Sequence, residues 1–127
     1  MKNQQLIDRL DQLPAQIAEV STQLMELQQK SQDLKNEQVD LELQIKMNIL
    51  TEVDDNGKKV YSNAESRDAA LSERAKAHPQ LCEIAASLGD LDKQIQMIKI
   101  NLEKLANEQR NIRSIMAFIA SGSANDL

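Results

Sequence analysis

His78 and Cys82 are the only histidine and the only cysteine in the chain, and they stand four residues apart, the spacing that puts two side chains on one helix face. That is half of a tetrahedral zinc site. The other two ligands would have to be remote carboxylates, so the pair reads as a helix-boundary histidine and a packed thiol. Nothing around Cys82 supplies the base or the motif of a nucleophilic cysteine. A second constellation is Glu52, Asp54, Asn56 and Gly57, which fall at positions 1, 3, 5 and 6 of the calcium-loop pattern. Position 12, where a bidentate glutamate should close the site, is Asn63, and Lys58 and Lys59 add opposing charge. Acidic pairs such as Asp90 and Asp92 read as solvated helix positions, and no phosphate-cradling glycine loop occurs. The chain is expected to be no enzyme and to hold no metal and no cofactor.

Cations are the next candidates. The net charge is −5, yet the segment from Lys93 to Arg113 runs the other way: Lys93, Lys99, Lys104, Arg110 and Arg113 face only Glu103 and Glu108. That excess is small beside the clustered patch of a nucleic-acid-binding domain. A DNA or RNA contact, if the chain makes one, falls to those five residues.

The elements that must position these groups are long helices. With Phe118 and Tyr61 the sole aromatics, and with 28% charged residues, the composition suits helical rods held by Leu, Ile and Ala rather than a globular core. From Leu6, alternating steps of four and three pick out Leu6, Leu10, Leu13, Ile17, Val20, Leu24, Leu27, Ser31, Leu34, Gln38, Leu41, Ile45 and Asn48. The same rule gives Leu81, Ile84, Leu88, Leu91, Ile95, Ile98, Leu102, Leu105, Gln109, Ile112, Met116 and Ile119. A mean period of 3.5 residues keeps one stripe on a partner helix, so the two stripes predict an all-α, antiparallel coiled-coil helical hairpin. Its polar seam residues, Ser31, Gln38, Asn48 and Gln109, help to fix register. The expected plan is a single elongated domain over 1–127: arm one at 6–50, a tip at 51–62, a helix at 64–77, arm two at 79–120 and a tail at 121–127. Pro14 is expected to end or kink a short opening turn, or to begin the main helix. Ser62 with Glu65 fits a capping box for the 64–77 helix. His78-Pro79 then either separates that helix from arm two or kinks one continuous helix.

The stretch TEVDDNGKKVYSN reads as a small β-hairpin at the tip, because Thr51, Val53, Val60 and Tyr61 flank Asn56-Gly57. A type I turn with Gly57 left-handed fits equally. A two-stranded hairpin needs something to pack on, so it is read either as a rigid reversal or as an edge that pairs with another chain. Arm one also carries a second apolar stripe, Val39, Leu43, Met47 and Leu50, on the far side from its seam. A helix apolar on two faces has two neighbours. The candidates are the 64–77 helix, through Ala64, Leu71 and Ala75, or a second copy of the protein. Met97 and Ile100 form a smaller outward pair on arm two. The expected interaction residues are therefore Val39, Leu43, Met47, Leu50, Val53, Val60, Tyr61, Met97 and Ile100.

The segment VYSNAESRDAALSERAKAHPQL, followed by a long heptad helix, resembles small helical-hairpin proteins of phage and prophage genomes. In these a Y-S-N-x-x-x-R-type segment, here Tyr61, Ser62, Asn63 and Arg67, follows a short turn between helices. The resemblance covers roughly residues 45 to 115 and implies a protein encoded near recombination or host-interaction genes, without an assigned chemistry. Helix, β-hairpin, helix in one chain is also similar to the β-class subunits of prefoldin, which hold unfolded clients between coiled-coil tentacles. The very short hairpin and the inserted helix depart from that pattern. The start, MKNQQLIDRL, lacks the apolar region of a signal peptide and no run is long enough to span a membrane, so a cytoplasmic protein is expected. The leading expectation is a structural or protein-binding chain that partners itself, as a dimer or higher, and another protein. The alternatives are a phage-derived accessory or inhibitor of nucleic-acid-processing machinery and a prefoldin-like holdase.

Overall fold

The computed structural model describes residues 2–122. Three helices account for nearly all of them: α1 (Lys2–Thr51), α2 (Ala64–Ala77) and α3 (Pro79–Ala120). The chain divides into two compact units. One joins Met1–Gln28 to Lys93–Leu127, of which 2–28 and 93–122 are described, and the other is Gln29–Asp92.

In the first unit the seam residues of α1 are the covered ones: Leu13 is fully buried, and Leu6, Leu10, Ile17, Val20, Leu24 and Leu27 are half-buried. On α3 Ile95 and Ile112 are buried, with Ile98, Leu102, Leu105, Gln109, Met116 and Ile119 half-buried. Arg9 meets Glu108, while Val20 and Gln23 share a groove with Asn101 and Leu105. Within this unit α1 therefore rises as α3 descends. Pro14 lies inside α1 rather than at a boundary. Its missing N–H leaves the Leu10 carbonyl without the usual partner, a local loss of about 3 kcal/mol relative to Ala that the surrounding helix tolerates.

Arg9 and Glu108 make a forked pair, Arg9 Nε donating to Oε1 at 2.5 Å and Nη2 to Oε2 at 2.9 Å. Arg9 Nη1 also donates to Gln16 Oε1 at 2.7 Å, which holds the guanidinium along its own helix. Hydrogen bonding to Arg9, aided by charge attraction, lowers the Glu108 carboxyl below its ordinary value.

The second unit departs from the heptad expectation at one place. Seam residues Leu34, Gln38 and Leu41 are half-buried and Ile45 is buried, but Asn48 is exposed and Ile49, one residue on, is only 2% exposed. Leu41, Ile45 and Ile49 step by four and four, which turns the buried face of α1 away from the 3.5-residue stripe. The cause is α2. Ile45, Ile49, Ala70 and Leu81 form the core of this unit, with Leu41, Tyr61, Leu71 and Ala75 packed against it.

α2 is a separate helix, which settles the choice left open at His78-Pro79. Its N-cap is Asn63, whose side chain accepts from Ser66 N at 2.7 Å while the Ser66 hydroxyl faces the Asn63 N–H at 3.4 Å. The expected Ser62–Glu65 box is thus displaced by one residue, because a short carboxamide caps as well as a hydroxyl and Ser66 supplies the reciprocal acceptor. At the other end His78 leaves the helical region (φ −83°, ψ 112°), as a residue before proline should, and Pro79 opens α3.

The small β-hairpin expected at the tip is corrected: the described residues contain no strand, only one antiparallel bridge pair, Val53 with Lys59. Between the end of α1 at Thr51 and the cap of α2 at Asn63, the cross-loop backbone bonds are those from Val60 N to Glu52 O at 3.1 Å and from Asp54 N to Lys58 O at 2.7 Å. The Asp54 carboxylate also takes up the loop's own donors, accepting from Asn56 N at 2.9 Å and Lys58 N at 3.0 Å. Within this loop only Gly57 is left-handed (φ 78°), and its N–H donates to Asp54 O at 3.0 Å. That is the type I turn closed by a left-handed glycine, not the Asn-Gly turn that needs two positive φ angles.

Two outcomes check these assignments. Ile49→Ala should lower unfolding stability by about 2–4 kcal/mol in chemical denaturation while Asn48→Ala stays within about 0.5 kcal/mol; the reverse ranking would restore the unbroken heptad. For the ion pair, the folded-state value of Glu108 lies below the unfolded one, so the pair stabilises fully at and above the ordinary range near 4.5 and is lost as acid carries the pH through the lowered value. The melting-temperature gap between wild type and Glu108→Gln should be constant at neutral pH and close as the pH falls below the ordinary carboxylate range. A gap that persists at the acid end would contradict the pairing.

Candidate protein-interaction surface

On α1, residues 39, 43, 47 and 50 point to the side opposite Leu41 and Ile45, because a helix turns about 100° per residue. α2 is one of the two covers expected for them, but its Leu71 and Ala75 pack on the Ile45–Ile49 core instead. The stripe is consequently bare: Val39 is 61% exposed, Leu43 54%, Met47 53% and Leu50 43%. Ala64, the third residue considered as a cover, is exposed too. Beside the stripe, Lys46, Ile49 and Leu50 of α1 and Arg67, Asp68 and Leu71 of α2 line an open groove of about 150 Å³.

The loop after α1 carries exposed apolar residues of its own. Val53 and Val60 are each about half exposed. Tyr61, expected among the interaction residues, is turned inward onto the Ile45–Ile49 core. It is fixed there by Arg74. That guanidinium donates from Nη2 to Glu52 Oε2 at 2.5 Å and to the Tyr61 hydroxyl at 3.2 Å, and its central carbon lies 5.5 Å from the ring centroid. The hydrogen bond to Glu52, then that to Tyr61, raises the Arg74 pKa. One cation therefore ties the end of α1, the loop and α2 together, through a charge-assisted bond and a cation–π contact.

In the other unit Met97 and Ile100 are 70% and 57% exposed and line a shallow groove with Asn101 and Lys104. Met25, Ile7, Ile115 and Phe118 are further exposed apolar residues there. Lys93, Lys99, Lys104, Arg110 and Arg113 are all exposed on α3, but their helical positions scatter around its outer side rather than forming one ridge. Arg110 also donates to Asn107.

The two residues with metal-ligand chemistry serve helix ends. His78 Nδ1 accepts from Leu81 N at 3.2 Å, capping α3, and its carbonyl takes the first helical bond from Cys82 N at 3.1 Å. The exposed Cys82 thiol lies 3.4 Å from the Lys76 carbonyl. Among the described residues no cluster of three or more histidine, cysteine or carboxylate side chains is placed to hold a metal ion, and no helix is long and apolar enough to cross a membrane.

Sequence reasoning missed Ile49 and Arg74. The double step of four after Leu41 was the available signal for Ile49; nothing in the sequence links Arg74 to Glu52 and Tyr61. No protein-family model, curated protein or solved structure matches the chain.

The chain has one tyrosine and no tryptophan, so its intrinsic fluorescence reports on Tyr61. Arg74→Ala should release the ring and raise the acrylamide quenching constant of that emission, without loss of helical circular dichroism. Unchanged quenching would remove Arg74 from this role.

Proposed function

We propose that the protein is a non-enzymatic, self-associating coiled-coil hairpin that acts through protein contacts, with the 39–50 face of α1 as its principal contact surface. One observation carries the reading: four large aliphatic side chains in about three turns of one helix keep roughly half of their surface in water. Scattered apolar residues on a surface are ordinary, but a contiguous patch of this kind marks a place where another molecule sits.

The hairpin part of the proposal is supported in each unit taken by itself: Arg9 of α1 pairs with Glu108 of α3 in one, and Gln80 of α3 donates to Glu37 of α1 at 2.8 Å in the other. Half-buried Ser31, Gln38 and Gln109 interrupt the aliphatic stripes and act as register marks.

Multi-angle light scattering on the purified chain tests the reading. The wild type should give a mass at least twice that of one chain at micromolar concentration, and Leu43→Glu with Met47→Glu should return it to a monomer with unchanged helicity. A wild-type monomer across the accessible concentration range would overturn self-association.

A further inference from the structure

The 39–50 face extends one helical turn toward the N-terminus in a form that specifies its partner. Resting on the self-association reading, we propose that this face pairs with the same face of a second copy in parallel, with both tip loops at the same end and a two-fold axis running along α1.

The argument begins with positions. Asn36, Val39, Leu43 and Leu50 fall on a, d, a and a of a heptad that faces away from the chain's own core, and the intervening d position is shared by Met47 and the aliphatic stem of Lys46. In that frame Lys35 is a g residue on one edge of the stripe and Asp40 an e residue on the other, and both are exposed. A parallel two-stranded pairing brings the g edge of one helix against the e edge of its partner, and joins residues five apart in number. Lys35 of each copy then reaches Asp40 of the other, giving two ion pairs related by the axis.

Antiparallel pairing sets like edges together. The e edge holds Asp33, Asp40 and Met47, so it would meet a copy of itself with no cation. On the g edge, Glu42 is turned into a groove beside Ala75, Lys76 and Leu81, and so leaves Lys35 as that edge's free charge. Asn36 points the same way. An asparagine at an a position meets its own counterpart across a parallel two-fold axis and bonds to it, whereas out of that register it is buried unpaired.

Area agrees with a second copy as the occupant. Val39, Leu43, Met47, Leu50, Val53 and Val60 are between 43% and 61% exposed. Together they leave on the order of 500 Å² of apolar surface uncovered, close to the apolar share of the roughly 800 Å² that each partner contributes to a standard stable interface.

Disulfide trapping tests the orientation. In a Cys82→Ser background, Val39→Cys, Leu43→Cys and Leu50→Cys are each oxidised alone and in pairwise mixtures, and read on a non-reducing gel beside the wild-type mass from light scattering. Parallel pairing predicts that each of the three links to itself. Antiparallel pairing lets at most one do so and links Val39→Cys chains to Leu50→Cys chains; that pattern with a dimeric wild type overturns the orientation while self-association stands. A monomeric wild type overturns both. As a second readout, Lys35→Glu should weaken the dimer about three- to tenfold, and adding Asp40→Lys to the same chain should restore it. No restoration in the exchanged variant contradicts the proposed pairs.

Discussion

The second unit depends on the burial of Ile49. A chain that kept a strict 3.5-residue repeat to the end of α1 would bury Asn48 and give its whole inner face to α3. Four-residue steps from Leu41 to Ile45 to Ile49 rotate the last buried positions toward α2, and Ala70 and Leu71 are there to receive them. Ile45, Ile49 and Leu81 then share a core with a helix that a two-helix hairpin would not contain. The loop that joins the two helices holds one bridge pair, Val53 with Lys59, and a left-handed glycine at 57.

The same placement explains the bare face. α2 lies against the side of α1 that holds Ile45 and Ile49, so it cannot also lie against Val39, Leu43 and Met47, which point elsewhere on the helix. Arg74 fastens this choice. By binding Glu52 and the face and hydroxyl of Tyr61, it ties α2 to the end of α1 and holds the one tyrosine half-buried against the core. What remains outside is aliphatic, flanked by Asp33 and Asp40 on one edge and Lys35 on the other. An interface built on those residues draws its strength from apolar burial and its orientation from charge.

Much of this was legible in the sequence. Every member of the second-arm stripe is covered, and all of the first-arm stripe except Asn48, because 3.5-residue periodicity over many turns has few other physical causes. The boundary at His78-Pro79 and the exposure of Val39, Leu43, Met47 and Leu50 were also readable. The tip was not. Val53, Val60 and Tyr61 carry strand propensity, but propensity is local, and here the Asp54 carboxylate takes up loop donors while Tyr61 packs on the core. Tyr61 was placed on the surface for the same reason: its partner, Arg74, lies 13 residues away in a helix whose position depends on the core. The capping error at Ser62 is smaller, since Ser62, Asn63, Glu65 and Ser66 offer two overlapping boxes and the geometry selects one.

The contact between Ile49 and α2 is the claim to test most directly, and a double-mutant cycle isolates it. Ile49→Ala, Leu71→Ala and the double variant are measured by chemical denaturation. If the two side chains share one core, the double variant loses less stability than the two single losses together, with a coupling of about 0.5–3 kcal/mol. Losses that add without coupling would mean that α2 does not close on the last turns of α1, and the explanation of the bare face would fail with it.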